Sequence, residues 1–281
     1  MAGSSTAVVS VGRKAAVLGS PISHSRSPDL HLAAYRALGL DDWTYERIEC
    51  PAGSLPLVVT GLSDDYVGLS VTMPGKVEAL EFAIERTERA VLVGSANTLV
   101  RIDGGWRADC TDVDGVRGAL LDGGVPDLQD ASVVVIGAGG TARPALLALA
   151  ELGATRVTIV ARDAERAKGA LALAGALKMT GNVIDFAPDL LADACADARC
   201  VVSTVPSAAV EKVVESVATA RFVLDAIYNP WPTPLATSVC AAGGTVVSGL
   251  SMLLNQAYGQ VEQFTGQPAP REAMAAALPT L

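Results

Sequence analysis

Short apolar runs recur along the chain, separated by stretches whose apolar positions repeat every three to four residues, so strands and helices are predicted in alternation. Residues 15–18, 45–48 and 66–71 read as strands, and residues 28–38 as a helix. From Ser132 onward the spacing becomes more regular: strand-like runs at 133–136, 157–160, 200–203 and 222–225 are divided by alanine-rich helical segments. That spacing predicts a doubly wound parallel sheet. Between the two regions, Gly123-Gly124-Val125-Pro126-Asp127 lies in a predicted loop over residues 123–129, so the change of domain falls near or slightly before it. An amphipathic helix over residues 250–265 stops at Gly266 and Pro268, and no internal repeat is visible. The fold class is therefore α/β.

Length and composition narrow the choice of partners. A chain of 281 residues exceeds the usual single domain, so two domains are expected, each large enough for its own core. Half the residues are hydrophobic, yet no stretch approaches the roughly 20 apolar residues that cross a bilayer, and a soluble protein is expected. In the segment 1–14 a short apolar run precedes Arg13 and Lys14, the reverse of the charge order in a secretory signal, and we read it as a loose extension entering a strand. The five cysteines (Cys50, Cys110, Cys195, Cys200 and Cys240) are odd in number and lack CxxC spacing, which argues against a disulfide framework or a metal site and for a reducing cytoplasm. A net charge of -9 opposes nucleic acid and anionic membranes as partners; an anionic small molecule would need a local pocket.

Directly after the run 133–136 comes Gly137-Ala138-Gly139-Gly140-Thr141-Ala142, a GxGxxA pattern followed by a helical run that ends near Gly153. Gly137 allows a tight turn, Gly139 lets backbone approach a pyrophosphate at the helix N-terminus, and Ala142 permits close packing of helix on strand. The next strand ends in Val160-Ala161-Arg162, where an NAD enzyme tends to carry an acid. Arg162, with Arg166 one turn further on, would instead pair with a 2'-phosphate and favour NADP. Two solvated surface arginines are the competing reading, and Asp163 or Glu165 would repel a phosphate if either faced inward.

Candidate substrate chemistry lies in the loops. Ser23-His24-Ser25-Arg26-Ser27-Pro28 leads into a helix with Ser27 as the expected N-cap and Pro28 at the first helical position, and the hydroxyls of Ser25 and Ser27 suit a small carboxylate. Capping alone accounts for Ser27 equally well, and His24 by itself is better explained by packing or hydrogen bonding. Pro74 and Gly75 place Lys76 on a turn able to aim its amine into a cleft, although a lone loop lysine is ordinarily a surface charge. Asn97, Thr98 and Asp112 read as loop polar residues until something ties them together.

A family resemblance supplies the tie. GSPISHSRSP from Gly19, SVTMPGK from Ser70, SANTL from Ser95, CTDVDG from Cys110, GAGGTA from Gly137, DAIYNPWPTPL from Asp225 and GLSMLLNQA from Gly249 occur in order, and over about 19–278 the chain resembles the shikimate dehydrogenase family, its actinobacterial branch in particular. The resemblance implies a discontinuous N-terminal α/β substrate domain (1–113 and 250–281) and a Rossmann-type domain (114–249) that binds NADP(H). It implies that Ser25, Ser27 and Tyr228 bind a substrate carboxylate, and that Thr72, Lys76, Asn97, Asp112 and Gln256 hold ring hydroxyls and the keto oxygen of 3-dehydroshikimate. Lys76 and Asp112 would be the catalytic pair. Gly137, Ala138, Gly139, Gly140, Thr141, Ala142, Ala161, Arg162, Arg166, Thr204, Ile227, Gly249 and Met252 would bind the cofactor, with no metal, in a cytoplasmic monomer or homodimer. Gln256 and Met252, four residues apart, share a helix face. Ser20, Ser70 and Cys110 stand where the family usually has asparagine, and Ala161 and Asp163 replace an asparagine and a threonine beside Arg162. Two alternatives keep the fold: a quinate/shikimate dehydrogenase using NAD, and a non-catalytic nucleotide or shikimate sensor. A scaffolding role would leave the glycine pattern and polar loops unexplained.

Overall fold

The alternation resolves into two six-stranded sheets in the computed structural model, which describes residues 12–279. Most of the extension predicted over 1–14 lies outside those residues; Lys14 opens the first strand. The first sheet has the order β2-β1-β3-β5-β6-β4, built from β1 (Lys14–Gly19), β2 (Thr44–Glu49), β3 (Tyr66–Val71), β4 (Glu85–Arg86), β5 (Thr98–Ile102) and β6 (Gly105–Asp109). Strands β2, β1 and β3 run parallel, whereas β5 runs antiparallel to β3 and forms a hairpin with β6. Central β1 and β3 are buried on both faces and so read as continuous apolar runs; β2, at the edge, is mostly exposed and polar.

The second sheet is wholly parallel, in the order β12-β11-β10-β7-β8-β9, from β7 (Ser132–Ile136), β8 (Arg156–Val160), β9 (Thr180–Ile184), β10 (Cys200–Ser203), β11 (Phe222–Asp225) and β12 (Thr245–Ser248). The strand order reverses between β7 and β10, which opens a crevice at their carboxyl ends. The doubly wound expectation is met. Strands β9 and β12, absent from the predicted set, are the two edges, and their exposed threonines give no apolar run.

Two helices join the halves. Asp112–Asp122 shares a core with β7 and β8 through Val113, Val116 and Leu120, and Gly249–Thr265 shares one with β1 and β5 through Leu253, Val261 and Phe264. They pack on each other at glycines: an added Cβ at Gly115 would lie 2.8 Å from the Met252 carbonyl oxygen, and one at Gly118 2.2 Å from Asn255 Oδ1. Close approach of these backbones draws the two sheets together around a groove.

Two local expectations need correction. Lys76 is not on a turn but is the first residue of the helix Lys76–Phe82, with Gly75 as its cap residue. Ser27 is not an N-cap: the helix Ser27–Ala37 begins one residue earlier than predicted, Arg26 takes the cap position, and no side chain caps it. The Ser27 hydroxyl is thereby left for other contacts.

In β3, Gly68 lies directly under Phe264, and an added Cβ would stand 2.1 Å from the ring. Gly68→Ala is therefore expected to destabilise the protein by about 1–3 kcal/mol through overpacking, read as a lower urea midpoint; an unchanged midpoint would show that the ring moves aside freely.

Candidate active site

All but one of the expected polar side chains of the groove are delivered by or near the end of an element, Gln256 coming from mid-helix. Ser25 and Ser27 come from the loop after β1 and the helix start it feeds; Thr72 follows β3; Lys76 and Asp112 open their helices; Asn97 immediately precedes β5. Tyr228 follows β11, and Gln256 lies in Gly249–Thr265. All eight line one cavity of about 140 Å³, together with Thr141, Gly249 and Met252 from the expected cofactor set. Gly19 makes room for Thr72, since a Cβ there would stand 2.4 Å from Thr72 Cγ2.

Lys76 Nζ donates to Asp112 Oδ2 at 2.5 Å, with the carboxylate side chain 1% exposed and the lysine 14%. Asp112 Oδ1 accepts from Asn97 Nδ2 at 3.1 Å, and the same amide reaches Gln256 Oε1 at 2.7 Å. Asn97 Oδ1 accepts from the Thr111 amide at 2.7 Å, so the asparagine, in the loop as expected, is a buried hub there. A buried carboxylate without such partners would be costly; here both oxygens are occupied. The Lys76 amine is thus held by the carboxylate while it lines the cavity.

At the far end, Ser25 Oγ donates to Ser27 Oγ at 3.3 Å and accepts from the Ser27 amide. Arg47 fixes this loop, its Nε donating to the Ser25 carbonyl at 3.0 Å and its Nη2 at 2.5 Å. Burial raises the Tyr228 hydroxyl above its ordinary value, with Arg26 and Arg47 opposing. His24 also lines the cavity.

A second cavity, of about 480 Å³, opens at the crevice between β7 and β10 and is lined by Gly137, Ala138, Gly139, Ala161, Arg162 and Arg166. Gly137 has φ 113° with Thr204 Oγ1 only 2.5 Å from an added Cβ, so no other residue fits the turn. Over Gly139 nothing lies within 4 Å, leaving open space where a pyrophosphate would meet backbone. These features fit a dinucleotide. The two acids that clouded the choice of cofactor are engaged: Asp163 Oδ1 accepts from the Glu165 amide at 2.9 Å as an N-cap, and Glu165 pairs with Lys168 at 2.6 Å. The Asp163 residue nevertheless borders the cavity.

Other expected cofactor residues lie elsewhere. Ala142 is buried in the glycine-loop helix, while Thr204 and Ile227, at the ends of β10 and β11, line neither cavity. Gly140 faces the first cavity's lysine, with 3.8 Å from an added Cβ to Lys76 Cδ. The glycine turn that lines the second cavity thus leads through Gly140 to Thr141, which lines the first cavity with Lys76. Phe186, Val205, Pro206 and Ala209 also line the second cavity, and Gln260 and Ile22 the first; none of these was singled out from sequence. For Gln260 a signal existed, since it lies one helical turn after Gln256.

Among the described residues all five cysteines are free, no acid, histidine or cysteine cluster could hold a metal, and no helix is long and apolar enough to cross a membrane.

A glycine turn that opens onto a lysine and its carboxylate is the arrangement of a dinucleotide-dependent oxidoreductase. Comparison with known proteins agrees. Family models match at residues 17–99 (shikimate dehydrogenase substrate binding domain), 120–224 (shikimate / quinate 5-dehydrogenase) and 249–278 (shikimate 5'-dehydrogenase C-terminal domain). The shikimate dehydrogenase (NADP(+)) of Nitrosopumilus maritimus is 30% identical over 95% of this chain and 98% of its own. Two crystal structures superpose closely: the Mycobacterium tuberculosis shikimate dehydrogenase (57% identity, TM-score 0.89, 94% of this chain and 98% of that one) and a Mycobacterium fortuitum shikimate 5-dehydrogenase (60%, 0.86, 97% and 100%). The chain belongs to the shikimate dehydrogenase family.

Behind the cavity, His31 is fully buried, stacked on Tyr45 at 4.1 Å, with Nδ1 unpartnered. Burial drives its pKa from 6.5 down to about 3. The unfolded chain then binds the extra proton between those values, so stability rises with pH across the window and is lost as pH falls below 6.5. Going from about pH 7 to about pH 5, His31 should cost about 2 kcal/mol of stability. Urea titrations of His31→Phe are expected to lack that component; identical acid sensitivity in variant and parent would refute it.

Proposed function

We propose that the chain catalyses the reversible, NADPH-dependent reduction of 3-dehydroshikimate to shikimate, a step of chorismate and aromatic amino acid biosynthesis, in a reducing cytoplasm. The observation that carries this reading is the 2.5 Å contact of Lys76 with Asp112 on the wall of a hydroxyl-lined cavity, beside the glycine turn. The family membership and the NADP(+) named for the Nitrosopumilus relative support it. Residues 1–113 with 250–281 would form the substrate domain and 114–249 the cofactor domain, in keeping with two sheets that share no strand.

The backbone of Gly137, Ala138, Gly139 and Gly140 and the start of the following helix would hold the pyrophosphate, and Arg162 and Arg166 the 2'-phosphate. Ala161, Thr204, Ile227, Gly249 and Met252 complete the cofactor set. When bound, NADPH supplies the hydride. Ser25, Ser27 and Tyr228 bind the ring carboxylate, with the charge of Arg47 behind the Ser25 carbonyl. Thr72, Asn97 and Gln256 hold ring hydroxyls. Lys76 Nζ donates a proton to the ketone oxygen as negative charge builds there, and Asp112 holds the ammonium aimed and within reach. In the oxidative direction the same amine takes the proton back.

Loss of NADPH absorbance on addition of 3-dehydroshikimate tests the whole reading, and no turnover would overturn it. In that assay Lys76→Ala should lower kcat by about 10²- to 10⁴-fold; a parental kcat would remove Lys76 from the chemistry. Arg162→Gln should raise KM for NADPH by about ten- to a hundredfold and leave KM for NADH nearly unchanged, the loss of one charge-assisted hydrogen bond. Parallel changes in both would mean that Arg162 does not read the phosphate.

A further inference from the structure

The floor of the substrate cavity holds two polar side chains with no part in the proposed mechanism, Ser70 and Gln260. Ser70 lies on β3 directly opposite Thr98 on β5. Gln260 reaches this strand pair from the helix Gly249–Thr265 and is 3% exposed. Its amide orientation follows from its neighbours: the Asn97 carbonyl, 3.1 Å away, can only accept, so the nitrogen faces it and also donates to Thr98 Oγ1 at 3.1 Å. Gln260 Oε1 therefore faces Ser70, accepting its hydroxyl proton at 2.8 Å and a longer bond from His31 Nε2 at 3.4 Å. Every bonding capacity of the amide is used.

Two consequences reach the cavity. Tyr45 donates its hydroxyl proton to Ser70 Oγ at 2.7 Å, and Ser70 passes its own proton to Gln260, so Ser70 has no proton left and meets the cavity only as an acceptor. Gln260 also pins the backbone of Asn97, whose side chain holds both Asp112 and Gln256. Buried groups so fully paired rotate only by breaking bonds that water cannot replace, which is how a site is held in one geometry before its ligand arrives.

We infer that Gln260 is a positioning residue of the ring site: it fixes Asn97 and directs the Ser70 hydroxyl so that only a lone pair faces the substrate, selecting a ring hydroxyl at that point. The inference rests on the functional reading above, which the same assay reports through the parent enzyme. In Gln260→Leu, similar in size but without polar groups, KM for 3-dehydroshikimate should rise about tenfold or more, as expected for one or two lost hydrogen bonds, with KM for NADPH within about twofold of the parent. If Gln260 acts through Ser70, the Ser70→Ala and Gln260→Leu losses will be non-additive, the double variant being little worse than Gln260→Leu alone. Should Gln260→Leu fail to fold, Gln260→Glu keeps the size and the acceptor but cannot donate to the Asn97 carbonyl, and the same ring-specific loss is expected. A lowered melting temperature with parental KM values, equal rises for both substrates, or full additivity would overturn the role of Gln260 while leaving the reaction standing. An inactive parent enzyme would overturn both.

Discussion

The site depends on a lysine and an aspartate from separate elements meeting at 2.5 Å. Lys76 is the first residue of a helix and its side chain is largely withdrawn from water, while Asp112, 1% exposed, opens the helix Asp112–Asp122, a position that a helix dipole favours for a carboxylate. A charged group withdrawn from water is costly unless it is paired. Each residue thus makes the other tolerable. Because they come from separate elements, their meeting constrains the relative placement of β3, the β5–β6 hairpin and both connecting helices.

That placement is achieved by removing side chains rather than adding contacts. Gly115 and Gly118 let the helix Asp112–Asp122 lie close against Gly249–Thr265, and the latter carries Met252, Gln256 and Gln260 to the cavity at successive turns. A nicotinamide site and a ring site can exchange a hydride only if their ligands nearly touch, so the glycines at these approaches matter to the reaction as well as to packing.

How much of this could be read in the sequence follows from where each residue lies. Buried parallel strands such as β7 and β10 declare themselves as apolar runs, and the Gly137 turn has few other interpretations, so the second sheet and its crevice were legible. Edge strands β9 and β12 were not: β9 has no buried residue to fix its composition, and β12 offers only the pair Val246-Val247, too short a run to declare a strand. The eight expected substrate residues do converge, but the motifs they occur in, not local chemistry, suggested it: Asn97 looked like a loop residue because the partners that bury it lie 14, 15 and 159 positions away. Gln260 escaped for a related reason. A glutamine in an amphipathic helix reads as part of its wet face, whereas this helix is covered on one side by the first sheet and on another by Asp112–Asp122, leaving little wet face.

Cofactor preference shows how a local motif can mislead without its hydrogen bonds. By charge alone, Asp163 and Glu165 cancel Arg162 and Arg166. The structure assigns the acids other tasks: one caps the helix Ala164–Ala176 and the other pairs with Lys168 along it. No carboxylate pairs with Arg162 or Arg166 among the described ion pairs, and both line the dinucleotide cavity. Asp163 directs Oδ1 at the Glu165 amide, although the residue still borders the cavity. On the proposed reading, selectivity for the phosphorylated cofactor would rest on two arginines with Ala161 and Asp163 beside Arg162 in place of an asparagine and a threonine, a clamp with fewer fixed hydrogen bonds and a larger share of long-range charge. Such a clamp is more sensitive to ionic strength than one built from directed bonds, because screening acts on charge at a distance and hardly at all on a donor in contact.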